Sequence, residues 1–146
     1  MISEHYRFLG SKNYTRYFFE SIGKQGKVVK IVEFSLDKNN RWNLGFGDWR
    51  MGKIDDTVIT NNHDVAKVIS TVAKIVYIFF EKYPNRVVTI NPVDDKRKRL
   101  YNIVFQRHIT EIEPNFDLIG YINEKPETYS IEKNYDIFEL KLKSKP

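Results

Sequence analysis

Two groups of residues in this chain have types and spacings that suit chemistry. The first is a run of four cations, Lys96-Arg97-Lys98-Arg99, followed closely by Tyr101. The run stands where a helical periodicity begins. A helix start carries about half a positive charge, so each exposed cation there is disfavoured by roughly 0.3–1 kcal/mol. Asp94 and Asp95 offset part of this, and carboxylates elsewhere in the chain or a bound phosphate would supply the rest. Two readings stay open. In one, Arg97 and Arg99 pair with Asp48, Asp55 or Asp56; in the other, the run is a site for an anion or a nucleic acid.

The second group is an acidic loop holding Asp48, Asp55, Asp56 and Asp64, with Asn62 and His63 beside them. Clustered carboxylates can hold a hard divalent cation, and with Lys53 or Arg97 nearby they would equip a metal-dependent nuclease or phosphoesterase. The spacing matches no dedicated calcium loop, because Asp55-Asp56-Thr57 lacks the alternating ligands and closing glutamate. Turns and a helix cap are the plainer use of such residues. No metal ligand is assigned and no cofactor is expected. The three histidines, His5, His63 and His108, have no short ligand spacing. A phosphate loop, a nucleophile elbow and a dinucleotide fingerprint are all missing, which removes the usual support for ATPase, serine hydrolase and dinucleotide oxidoreductase readings.

The elements that must position these residues can be read from periodicity. Tyr14 to Ser21, Lys27 to Leu36 and Arg41 to Gly47 read as strands joined by the turns Gly23-Lys24-Gln25-Gly26 and Asp37-Lys38-Asn39-Asn40. In the third of these, Trp42, Leu44 and Phe46 alternate with Arg41, Asn43 and Gly45, the period of a half-buried antiparallel strand. Asp48 to Asp64 breaks into loop. Val65, Val68, Ile69, Val72, Ile75, Val76, Phe79, Phe80 and Tyr83 then recur at helical spacing, with Asn61 or Asn62 as the cap and Pro84 as the stop. Arg86 to Ile90 is a short strand. Asp94 caps a second helix to about Ile109, whose stripe is Leu100, Ile103 and Val104, widened by Tyr101, Phe105 and Ile109. Phe116 to Ile122 and Tyr135 to Lys143 are the last strands, separated by a polar link containing Pro126.

Composition sets the outer bounds. The 146 residues, 41% hydrophobic and 14% aromatic, suit one compact domain spanning 1–146 and are too apolar for a disordered tail. No cysteine is present, so disulfides, thiol nucleophiles and cysteine-held metals are excluded. With no apolar stretch of signal or membrane length, a cytoplasmic address without membrane contact is expected. The net +5 is unevenly spread: residues 48–64 carry −2, residues 93–109 carry +3 and residues 110–146 carry −3. Alternating patches of that kind do not make the continuous positive surface that coats a phosphate backbone.

Six segments, Tyr17-Phe18-Phe19-Glu20-Ser21-Ile22-Gly23, Asn43-Leu44-Gly45-Phe46-Gly47-Asp48, Ile54-Asp55-Asp56, Thr60-Asn61-Asn62-His63-Asp64, Ser70-Thr71-Val72-Ala73 and Arg97-Lys98-Arg99-Leu100-Tyr101, stand in order within a match that covers almost the whole chain. Together they resemble a family of small uncharacterised proteins found mainly in Bacteroidetes. The resemblance implies a bacterial, cytoplasmic, single-domain protein and supplies no reaction. Relatives tend to carry Gly-Ser-Thr where this chain has Pro92-Val93-Asp94, and glycine at the place of His63. Proline removes an amide donor, valine removes a hydroxyl and aspartate repels an anion, so an anion at that loop would be held differently here.

The expected fold is α+β: an antiparallel sheet of about five or six strands packed on one long central helix, with a second, basic-headed helix beside it. The expected function is a noncatalytic binding or regulatory module contacting a partner protein or a nucleic acid. Its candidate residues are Lys96, Arg97, Lys98, Arg99 and Tyr101, with Asp48, Asp55, Asp56, Asn62 and Asp64 in the acidic loop. Size and setting make toxin–antitoxin or phage-defence loci the nearest analogy. The alternative is the metal-dependent nuclease or phosphoesterase.

Overall fold

The computed structural model describes residues 4–55 and 62–143. These fall into two compact units, one within Met1–Ser35 and Leu44–Pro84, the other within Leu36–Asn43 and Asn85–Pro146. The class is α+β, with a large mixed sheet and, among the described residues, two helices.

The first unit is built from β1 (Phe8–Gly10), β2 (Arg16–Gly23), β3 (Gly26–Leu36), most of β4 (Trp42–Arg50), β5 (Lys53–Asp55) and α1 (Val65–Lys82). Antiparallel pairing puts Tyr17 opposite Val32, Phe19 opposite Lys30 and Ser21 opposite Val28. Because alternate residues share a face, Tyr17, Phe19 and Ser21 line one side with Lys30, Val32 and Phe34. There α1 meets the sheet: the rings of Phe34 and Phe79 stack at 3.9 Å, and Phe79, Phe80, Ile75 and Val68 are buried. Each such side chain contributes about 1.5–3 kcal/mol by leaving water. The β4–β5 turn places Met51 and Gly52 at positive φ, 53° and 78°, and leaves Met51 98% exposed.

In the second unit the first residues of β4, Trp42 and Asn43, pair in parallel with Val88 and Thr89 of β6 (Val87–Ile90). From β6 the antiparallel order continues through β9 (Ile137–Leu142), β7 (Phe116–Ile122) and β8 (Lys125–Thr128). The helix α2 (Asp95–Ile112) lays Phe105 on Phe138 at 4.4 Å, with Tyr129 and Tyr135 beside them. Gly120 is required here, since a Cβ added to it would lie 2.2 Å from the Tyr135 ring.

Among the described residues the expected five or six strands become nine, and the sheet is mixed because of the β4–β6 pair. Three strands of three or four residues account for the difference. β5 arises inside the expected loop, where the turn at Met51 and Gly52 folds Lys53–Asp55 back on β4. β8 arises inside the expected link, with Pro126 in a strand at the end of the sheet order, where a missing N–H leaves no ladder incomplete. α1 is not a single dominant helix either, because α2 also has 18 residues. Among the described residues no helix is long and apolar enough to cross a membrane.

Two helix faces also differ from expectation. In α1, Thr71, which is outside the apolar set read from the periodicity, is buried: its hydroxyl accepts the Tyr6 N–H at 2.8 Å and donates to the Lys67 carbonyl at 2.7 Å. In α2, Ile103 is exposed while Arg97 and Asn102 join Phe105 and Ile109 in the buried set. Asp64, rather than Asn62, is the N-cap residue of α1, and Asn61 lies outside the described residues.

Candidate functional site

The head of α2 is organised by Asp94 and Arg97. Asp94 adopts extended backbone at the N-cap, and its Oδ1 accepts the Arg97 N–H at 2.8 Å. Its other oxygen, Oδ2, accepts from Arg97 Nη1 at 2.6 Å. The Arg97 N–H first, and then its guanidinium, hold the Asp94 carboxyl below the usual aspartate value against the opposing effect of desolvation. Arg97 is only 5% exposed, a rare position for a guanidinium. Among the described residues its Nε and Nη2 have no hydrogen-bond partner and are closed off from water. Leaving such groups unpaired costs about 1–3 kcal/mol each, more where the group is charged.

The neighbouring cations divide into paired and unpaired. Lys98 Nζ lies 2.5 Å from Asp136 Oδ1. That contact raises the Lys98 ammonium and lowers the Asp136 carboxyl, which also accepts the Asn123 N–H at 2.9 Å. Lys96 and Arg99 are exposed and form no ion pair among the described residues. Tyr101 is half-buried. Arg97 is bonded to the cap of its own helix; of the acidic partners expected for it, the Asp55 side chain and Asp56 lie outside the described residues.

One residue here was missed. Asn102 is buried and donates from Nδ2 to the carbonyls of Lys98 and Tyr135, both at 2.9 Å, while its Oδ1 accepts the Tyr135 N–H at 2.8 Å. It fixes α2 to the chain entering β9. Tyr135 in turn donates its hydroxyl to Glu127 at 2.8 Å and accepts the Ser130 N–H at 2.9 Å.

The acidic residues are separated by their partners. Asp48 is buried against Lys30, with Nζ 2.6 Å from Oδ1, and Arg50 Nη2 stands 3.2 Å from Oδ2. Asp64 Oδ2 accepts the hydroxyls of Tyr6 and Ser21, each at 2.6 Å. Burial first, then the bond to Asp64, raises the Tyr6 phenol. Asn62 is a backbone brace: its Oδ1 accepts from Gln25 N at 2.5 Å, and Nδ2 donates to the carbonyls of Ser21 at 3.2 Å and Gly26 at 2.8 Å. Gly23 must stay small beside it, since a Cβ there would lie 2.0 Å from the Asn62 carbonyl oxygen. Asp55 ends β5 with its backbone opposite Asp48, and Asp56 lies outside the described residues. Among the described residues no three His, Asp or Glu side chains gather as a metal would require.

Lys30 was also missed, although a signal existed. It falls between Val28 and Val32 on the inward period of β3, where a cation must find a buried partner. For Arg97 the signal was spacing: counting back from Ile109 and Phe105 in steps of four reaches position 97.

Residues 2–143 fit the model of a family of unknown function, DUF6934. No curated protein and no solved structure matches the chain.

Proposed function

We propose that this chain, which belongs to the family of unknown function DUF6934, is a noncatalytic binding or regulatory module that docks an anionic partner on the head of α2. The observation that carries the reading is the exposure of Lys96 and Arg99 without ion pairs among the described residues, at the positive end of a helix. An acidic partner would relieve that repulsion. The patch, Lys96 to Arg99, occupies about one helical turn and has Asp94, Asp95 and Asp136 close to it. A short acidic protein segment suits those dimensions better than a nucleic-acid backbone, which needs a longer positive track. A nearby toxin–antitoxin or phage-defence partner would fit the same description.

The alternative hydrolytic reading needs carboxylates open to a cation. Asp48 faces Lys30 and Arg50, and Asp64 accepts two hydroxyls, which supports the binding reading. Fluorescence anisotropy with a glutamate-rich peptide and a single-stranded RNA tests it. The peptide should bind the wild type and lose at least ~10-fold affinity in the Lys96→Glu/Arg99→Glu variant, with steep salt dependence. Equal peptide affinity in a folded variant removes the reading. RNA binding without peptide binding transfers the patch to nucleic acid, and cleavage abolished by chelator establishes the enzyme.

A further inference from the structure

The head of α2 holds a second feature that exposed Lys96 and Arg99 do not explain. Arg97 presents a planar guanidinium with two usable edges. One terminal nitrogen, Nη1, is taken by Asp94 Oδ2 at 2.6 Å. The nitrogens left without partners among the described residues, Nε and Nη2, belong together on one edge of the plane. Two parallel N–H groups on one edge match the two oxygens of a phosphate or carboxylate group. Because Nη1 is fixed to the N-cap carboxylate, the guanidinium is located at the helix start itself, where the dipole also favours negative charge.

We propose that Arg97 Nε and Nη2 form a bidentate receptor for a single oxyanion, of phosphate type, at the head of α2. The site rests on the binding-module reading for its location, yet it needs neither Lys96 nor Arg99. Asp94 has two effects on it. Its carboxylate repels an incoming anion, and it also orients the guanidinium so that the free edge is the Nε side. Both free nitrogens are closed off from water, so binding requires a local opening at the helix head. Val93, Asp94, Asp95 and Lys96, which lie beside Arg97 in the chain, are exposed. A desolvated fork of this kind accepts an oxyanion that can exchange its hydration for two charge-assisted bonds, and it discriminates against chloride, which has no second acceptor atom.

The test is titration of the full chain, labelled with nitrogen-15 in its arginines, with inorganic phosphate, acetate and chloride at matched ionic strength. The Arg97 Nε–Hε resonance, assigned through bonds from its own backbone amide, should move saturably with phosphate and stay still with chloride. Acetate that saturates the signal with higher affinity reassigns the ligand to a carboxylate and overturns the phosphate assignment. An Arg97 signal unmoved by all three salts, or moved alike by all three, overturns the site. Arg97→Lys keeps the charge and removes the fork, so it should bind phosphate at least ~10-fold more weakly. If that variant does not fold, the wild-type resonance still decides. Lys96→Glu/Arg99→Glu should keep a saturable Arg97 response while losing the acidic peptide, so failure of the docking reading and failure of the oxyanion site give different results.

Discussion

Lys30 and Asp48 form an ion pair sealed inside the first unit, Nζ to Oδ1 2.6 Å, with side-chain exposures of 2% and 1%. Arg50 touches the other carboxylate oxygen from the surface side. In such a place the two charges depend on each other more than the fold depends on them. Asp48→Leu should therefore cost about 3–5 kcal/mol, because it removes the carboxylate that faces the buried ammonium. The double variant Lys30→Met/Asp48→Leu should recover most of that loss. Urea unfolding of the four members of this cycle measures both, and a double variant as unstable as the two single variants combined contradicts the argument.

Asn102→Ala should destabilise the second unit selectively. It strands the Tyr135 N–H and carbonyl, which Asn102 now satisfies, at about 1–3 kcal/mol for each buried group left unpaired. Hydrogen exchange should show the largest loss of protection at Tyr135 and the residues leading into β9. A uniform loss across both units would argue against this local role.

Gly120→Ala should be worse than its single added methyl group suggests. The new Cβ would lie 2.2 Å from a ring that is fully buried and held by Glu127 and Ser130, so the ring cannot turn aside cheaply. Overpacking of this kind costs about 1–3 kcal/mol or more. Thermal unfolding together with the near-ultraviolet tyrosine signal would record it.

Acid should weaken the second unit through Asp136. Its folded carboxyl is lowered below 3.8 mainly by Lys98 and then by the Asn123 N–H, so the stabilising contribution is present above that value and disappears as pH falls through the folded one. Asp136→Asn should flatten the acid limb of a stability–pH curve measured by urea titration at successive pH values. Added salt should reduce the wild-type slope as well, because both partners are more than a third exposed.

Tyr17 gives the opposite limb. Burial pushes its phenol up from 10.0 to about 12, and its hydroxyl has no partner among the described residues. A neutral phenol is thus favoured in the folded chain, and stability should be full below 10.0 and fall as pH rises toward about 12. Tyr17→Phe should remove that alkaline loss and raise stability at neutral pH by up to about 1–2 kcal/mol, as it deletes a buried hydroxyl that bonds to nothing described. Loss of stability at neutral pH would show that the hydroxyl matters.

Long elements were legible because their periodicity is strong. Residues 116–122 and both helix starts fall where alternation, the Asp94 cap and the Val65 periodicity place them. Lys53–Asp55 and Lys125–Thr128 were not legible, since three or four residues without a long alternation become strands only when a turn folds them onto a neighbour. The candidate site was half visible. Its cations stand together in the sequence, yet the burial of Arg97 was not legible, because polarity outweighs spacing in any pattern based on hydrophobicity. Asn62 and Asp64 looked like functional polar residues, whereas their bonds to Gln25, Gly26, Ser21 and Tyr6 make them braces.

The Asn62 brace also bears on how the first unit assembles. Its bonds join positions 36, 37 and 41 residues apart. None of them can form until β2 and β3 have met and the chain has returned to the start of α1. Closing loops of that length costs entropy before any contact repays it, so Asn62 belongs to the late, non-local steps of folding. Its replacement should speed unfolding while leaving the folding rate nearly unchanged, and the brace is then a determinant of how long the native chain persists.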